Sequence, residues 1–429
     1  MRILILIFLS IGMLVAVPVQ LIKKENNDSN TTLLVIGGIH GNEPGGYFAA
    51  SILATHYKIL SKNLWIIPNL NQESIQRNKR GIHGDMNRKF AFIKKYDKDK
   101  KIIETLKKII LDPKVSLILN LHDGHGFYRK KHQGSIFNPN AWGQTCVIDQ
   151  CNLNINQKFA NLDQIAKTVR ENINKKLIKK HHAFNVKNTN TKFDDEAMKK
   201  SLTFFAVTHN KPAFAIETSK NLKTLTQKVF YQLLAIEEFM NIVGIKYKRD
   251  FQLNIESLKK ILKEYGFLYI NDRIILKLTN IKKTLRFIPL KSSKNRFVFT
   301  HPLGSIRREK NGNYKVFIGN KQITLIKPEY FQLAQNCPRE FGVTVDKEIK
   351  RHPLSSYFFI NDDFTIKCSP KIRVNLIGFN GSKQNECGIV IPLKKIKQKY
   401  SIDKKGKIYR IEFYKKNKFC AMSLVQVEN

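Results

Sequence analysis

The stretch Thr31-Thr32-Leu33-Leu34-Val35-Ile36-Gly37-Gly38-Ile39-His40-Gly41-Asn42-Glu43-Pro44 decides how this chain is read. Its first six residues form a β-branched, apolar run of strand length. The Gly-Gly pair that follows permits a turn and a close backbone approach. Pro44 suits the first turn of a helix, where its missing N–H is no loss, and residues 47–56 can carry that helix on. Strand, turn and helix in this order open an α/β domain. The turn also holds two metal-competent side chains three residues apart, His40 and Glu43.

The same grammar continues to about residue 245. Residues 64–68, 115–121 and 212–216 read as short buried strands. Residues 101–110, 153–180 and 222–243 read as helices with apolar side chains at helical spacing. Their alternation predicts a three-layer α/β domain with a mixed, largely parallel sheet flanked by helices. Beyond residue 246 the pattern changes to short strands, at 266–278, 284–290, 313–318, 357–367, 372–377 and 407–414 among others. Asn311-Gly312 is a hairpin signal between two of them. Two small all-β domains are expected, over 246–336 and 337–429.

The amino terminus reads as a signal peptide over residues 1–19. Arg2 is followed by an apolar run over 3–17 and polar residues over 20–24. That run is short for a spanning helix, which needs about 20 residues. No clean small-residue cleavage motif is present, so an uncleaved anchor is the alternative. No second apolar run of that kind follows. The expectation is an exported, periplasmic protein with no stable transmembrane domain after cleavage and with residues 20–245 as its first domain.

Lys and Arg number 75 against 34 Asp and Glu, a net charge of +41. Such a field draws anionic partners. The basic residues are spread along the chain rather than gathered in a stripe, and an exported chain seldom meets nucleic acid. Cell-wall polymer, anionic lipid and acidic peptides fit better. The six cysteines show no CxxC spacing, so a cysteine zinc site is not expected. Cys146 and Cys151 are near enough in sequence to close a small loop. Cys337, Cys368, Cys387 and Cys420 lie far apart, and bridges and free thiols both remain open.

Position then links distant residues. His40 follows the first strand, His122 follows the run 115–121, and Glu217 follows 214–216. Open α/β sheets bind ligands beyond the carboxyl ends of their strands, so these side chains should converge. His40, Glu43 and His122 offer zinc two nitrogens and a carboxylate, the three-ligand set of a catalytic site. Glu217 can take a proton from the attacking water and return it to the leaving amine. A core histidine at 122 and a helix-capping carboxylate at 217 are bland readings of each residue alone. They do not account for the set.

With Asp85-Met86-Asn87-Arg88 before Lys89-Phe90, Leu121-His122 and Ile216-Glu217-Thr218, the set resembles the funnelin, or carboxypeptidase A-like, zinc carboxypeptidases over residues 31–245. The resemblance implies zinc on His40, Glu43 and His122, and Glu217 as general base. It implies that Asn87 and Arg88 hold the substrate's terminal carboxylate. Arg80 is implied as the oxyanion-stabilising arginine, with Arg77 as competitor. An arginine aimed at the oxyanion is worth roughly 3–4 kcal/mol by analogy with a lost oxyanion donor. The 79-residue spacing from Glu43 to His122 is shorter than in the digestive enzymes, and no late substrate-capping Tyr is visible.

Export, length, basic charge and two β domains are similar to the cell-shape-determining peptidoglycan DL-carboxypeptidases of helical and curved bacteria. That resemblance implies release of meso-diaminopimelate from tripeptide stems, a central β-barrel-like domain and an immunoglobulin-like C-terminal one. It also implies muropeptides, and other cell-shape proteins, as partners. Some members carry Gln where this chain has His40. Trp142, Thr208 and His209 are the candidates for recognising the diaminopimelate side chain. The competing readings are an amidohydrolase or deacylase with the same metal pattern, and a non-catalytic wall-binding protein.

Overall fold

The computed structural model describes residues 19–26, 29–154, 156–381 and 385–428. The expected signal peptide therefore lies, but for Val19, outside the described residues. No helix among the described residues is long and apolar enough to cross a membrane.

Seven strands form the first sheet: β1 (Ile22–Lys24), β2 (Thr32–Gly37), β3 (Asn63–Ile67), β4 (Val115–Gly124), β5 (Thr145–Ile148), β6 (Asn185–Asn188) and β7 (Ala213–Ser219). Their spatial order is β1-β3-β2-β4-β7-β5-β6. The four central strands are parallel, and β1 and β5 join them antiparallel. All residues of β2 and β3 are buried, as expected of parallel strands covered on both faces.

Three helices pack together on the sheet: α1 (Pro44–His56), α3 (Leu162–Asn174) and α5 (Leu225–Val243). Two more, α2 (Lys100–Ile110) and α4 (Leu202–Thr208), form a separate group in which Lys107 lies over the Phe205 ring at 4.8 Å. Pro44 stands at the start of α1, as its sequence predicts. The helix expected over 153–180 is shorter at both ends. Asn161 caps it by accepting from Gln164 N, and the polar stretch before it is held by a bridge between Asn152 and Asn161.

The remaining chain is β-rich. A seven-stranded sheet combines strands from both expected β segments, because Ile274–Lys277 runs parallel to Lys418–Val427 with Ile274 opposite Met422. Two four-stranded sheets complete it. One hydrophobic core runs from the α/β domain into the first β segment, and a second lies within residues 334–425. The Asn311-Gly312 turn joins Gly304–Arg308 to Tyr314–Ile318, with Gly312 at φ +82°. The distant cysteines pair as Cys337–Cys420 and Cys368–Cys387. Cys146 and Cys151 are free, so the small loop that their spacing allows does not form. Cys146 is a strand residue buried in the sheet, and burial pushes its thiol pKa far up.

Candidate active site

The first β segment braces the loop that approaches the site. Asn69 Nδ2 donates to Pro302 O at 3.2 Å and Gln76 Nε2 to Ile306 O at 3.4 Å. That loop packs so closely on the metal-binding turn that a Cβ on Gly41 would lie 2.1 Å from Ser74 backbone. Only glycine fits there.

His40 lies in the turn after β2, and Glu43 is the N-cap residue of α1. His122 and Glu217 sit face to face near the ends of β4 and β7, as register partners. Both strands run further than the sequence predicts, so the two residues belong to the strands rather than following them.

His40 and His122 both point Nδ1 at Glu43 Oε2, at 3.0 and 2.9 Å. The candidate ligand atoms of the three residues all lie within 4.8 Å of one another, and each residue is buried. Their chemistry fits a zinc-type site: two imidazole nitrogens and one carboxylate, with room left for a fourth ligand. The outer contacts fit as well. His40 Nε2 meets Asp85 Oδ1 at 2.8 Å, a carboxylate partner of the kind that orients a ligand histidine. Gln232 Nε2 donates to His122 O at 2.7 Å.

Electrostatics follow from this crowding. Burial opposes charge on His40, but Glu43 and Asp85 outweigh it and hold its pKa above the ordinary value. Burial also opposes charge on Asp85, yet His40 and Arg80 hold its carboxyl well below the usual range. Glu217 behaves oppositely. Burial pushes its pKa up to about 7, with Glu43 and Asp123 adding to the rise while His122 and Lys220 oppose it. A buried carboxyl poised near neutrality is suited to general acid–base work.

The α1 start is fixed from below. Gly45 N donates to Asp123 Oδ2 at 2.9 Å, and Thr218 Oγ1 donates to Asp123 Oδ1 at 2.5 Å. A Cβ on Gly45 would fall 2.3 Å from Asp123 Oδ1.

A cavity of about 220 Å³ opens over the triad, with Arg80, Asn87, Arg88, Trp142 and Glu217 among its lining. Asp85 caps the short turn that carries Asn87 and Arg88 by accepting from Asn87 N at 2.9 Å. Asn87 Oδ1 accepts from Leu202 N at 2.9 Å, which leaves its amide nitrogen for a ligand. Arg80 bridges Asp85 Oδ2 at 2.9 Å and Glu43 Oε1 at 3.1 Å. Arg77 instead pairs with Glu73 at the surface. Trp142 packs under Lys187, whose Nζ is 4.2 Å from the ring.

The family model described as the catalytic part of a carboxypeptidase controlling helical cell shape matches residues 2–263. This chain belongs to that family. A second model, for the C-terminal domain of a metallo-carboxypeptidase, matches residues 334–428. Product-bound cell shape determinant Csd4 of Helicobacter pylori is 34% identical, with TM-score 0.89, over 96% of this chain and 100% of that one. The form of Csd4 bound to mDAP, described as a D,L-carboxypeptidase, is 34% identical over 95% of this chain and 100% of that one, also with TM-score 0.89. A glutamine-to-histidine variant of Csd4 is 35% identical over the same shares, at the same TM-score. Among curated proteins no match was found.

The chain is therefore a metallocarboxypeptidase by family and by donor set. Two expected recognition residues are not at its cavity. Thr208 and His209 close the far end of α4, four or more residues before β7 begins, whereas Glu217 is near that strand's end. Thr208 Oγ1 bonds back to Phe204 O and Phe205 O, and His209 packs on Phe205. Thr203, at the near end of α4, lines the cavity instead, with Met198, Lys220 and His125. Ser201-x-Thr203 before an apolar helix was the available signal, since Ser201 caps α4 by accepting from Phe204 N.

Proposed function

We propose that this protein releases meso-diaminopimelate from the tripeptide stems of peptidoglycan, with zinc held by His40, Glu43 and His122. The observation that carries the reading is the meeting of that triad with Glu217, Arg80, Asn87 and Arg88 in one cavity. The likeness to Csd4, solved with tripeptide and with mDAP, supports the substrate.

Zinc, when bound, supplies a Lewis acid that polarises the scissile carbonyl and acidifies water. The chain's own groups do the rest. The Arg88 guanidinium and the free Asn87 amide nitrogen dock the terminal carboxylate, a pairing that an exopeptidase needs to recognise a chain end. Glu217 takes the proton of the attacking water and returns it to the leaving amine. Arg80 turns from Glu43 Oε1 toward the developing oxyanion. Asp85 keeps the His40 ring oriented through this exchange.

Export to the periplasm, which the apolar run over residues 3–17 supports, would bring the enzyme to the wall. Its charge of +41 concentrates it near a carboxylate-bearing polymer. Metal analysis of the purified protein tests the cofactor. About one zinc per chain is expected, with chelation abolishing release and zinc restoring it. Full activity in chelated, metal-free protein would overturn the reading.

A further inference from the structure

Asn120 lies in β4 two residues before His122, so both side chains leave the same face of the strand. It is 1% exposed and lines the catalytic cavity together with Val147, Met198, Thr203 and Ala215. Among the described residues, neither its Nδ2 nor its Oδ1 has a hydrogen-bond partner. The sheet register shows why. Its neighbours on the flanking strands are Ala215 and Ile36, which carry no polar side-chain atoms. Two other polar atoms lining the cavity are engaged elsewhere: Asn87 Oδ1 accepts from Leu202 N, and Thr203 Oγ1 lies 3.2 Å from Ser201 Oγ.

Buried amides are ordinarily paired, because an unmet donor or acceptor has given up water without return. An amide left open on both its donor and its acceptor, facing a ligand cavity, matches a ligand group that offers one acceptor and one donor side by side. An amino-acid centre is such a group, with its carboxylate and its ammonium on one carbon. We propose that Asn120 recognises the distal amino-acid centre of the leaving residue, Nδ2 donating to its carboxylate and Oδ1 accepting from its ammonium. The proposal rests on the reaction proposed above. Diaminopimelate carries this second centre. Lysine keeps only the distal ammonium, and alanine keeps neither.

The test is Asn120→Leu, close in volume and without polar atoms, assayed with metal content measured. On a tripeptide stem ending in diaminopimelate, kcat/KM should fall about 10–100-fold, the range for losing a hydrogen bond to a charged group. On a stem ending in alanine the variant and the parent should agree within about twofold, since neither lost bond has a counterpart there. The inhibition constant of free diaminopimelate should weaken by a similar factor to the first loss, which reads binding without turnover. The melting temperature of the ligand-free variant should be equal or higher, because an unpaired polar group has gone. Equal losses on both stems, or an unchanged inhibition constant and unchanged kcat/KM, would overturn the assignment. A wild-type protein that releases no diaminopimelate overturns the reaction itself, a separate outcome.

Discussion

Asp85 is the residue on which most of the site's order depends. It receives His40 Nε2, Arg80 Nε and Asn87 N at 2.8–2.9 Å, and so joins a metal ligand, the oxyanion arginine and the carboxylate-binding turn. Asp85→Asn should weaken zinc about 10–100-fold, the usual effect of losing a carboxylate behind a ligand histidine. Competition against a zinc-binding dye measures this, and an unchanged affinity would remove Asp85 from the site's support. Glu217→Gln should lower kcat by about 10²–10⁴-fold with little change in KM or metal content. Its effect on stability has a definite sign. The folded pKa of Glu217 lies at about 7 against an ordinary 4.5, so its ionisation disfavours the folded state as pH rises between those values. In metal-free protein, Glu217→Gln should therefore melt higher than wild type at pH 8 and alike at pH 4. Scanning calorimetry at the two pH values decides it.

At the scale of elements, the first turn of α1 and the end of β4 are fitted to each other through Gly45 and Asp123. Gly45→Ala cannot be accommodated without moving one of them, since its Cβ would lie 2.3 Å from Asp123 Oδ1. It should lower both stability and zinc affinity, read by melting temperature and dye competition. A wild-type melting temperature would show that the contact yields. These elements were legible in the sequence because buried parallel strands are continuous apolar runs and α1 carries its own proline signal. The strands β5 and β6 were not legible. Thr145–Ile148 is only four residues long, and Asn185–Asn188 is polar at both ends, so neither shows a period. His40, Glu43, His122 and Glu217 were legible because strand ends converge by topology. Thr203 and Asn120 were not, because which face of a short helix or strand meets a cavity depends on packing that spacing alone does not determine. The misplacement of recognition to Thr208 and His209 came from the same gap, at the two ends of one short helix.

Across the whole molecule, the two expected β segments share a sheet, and the Cys337–Cys420 bridge ties residues 83 apart across it. No short-range sequence signal announces such a pairing. Replacing both cysteines with serine should cost about 2–5 kcal/mol of stability while kcat/KM on a small muropeptide stays unchanged, because the bridge lies outside the catalytic cavity. Chemical denaturation and a parallel assay test the pair of statements. The basic field acts at this scale too. Raising salt should weaken action on intact wall more than on a soluble muropeptide, because screening removes the polymer's attraction. Metal-dependent carboxypeptidase action on the wall's tripeptide stems is tested by mass spectrometry of purified muropeptides after incubation with the zinc-loaded protein. Tripeptide stems should become dipeptides with one free diaminopimelate each, and Glu217→Gln should leave them intact. Untouched tripeptides, or loss of D-alanine from pentapeptides in their place, would contradict it.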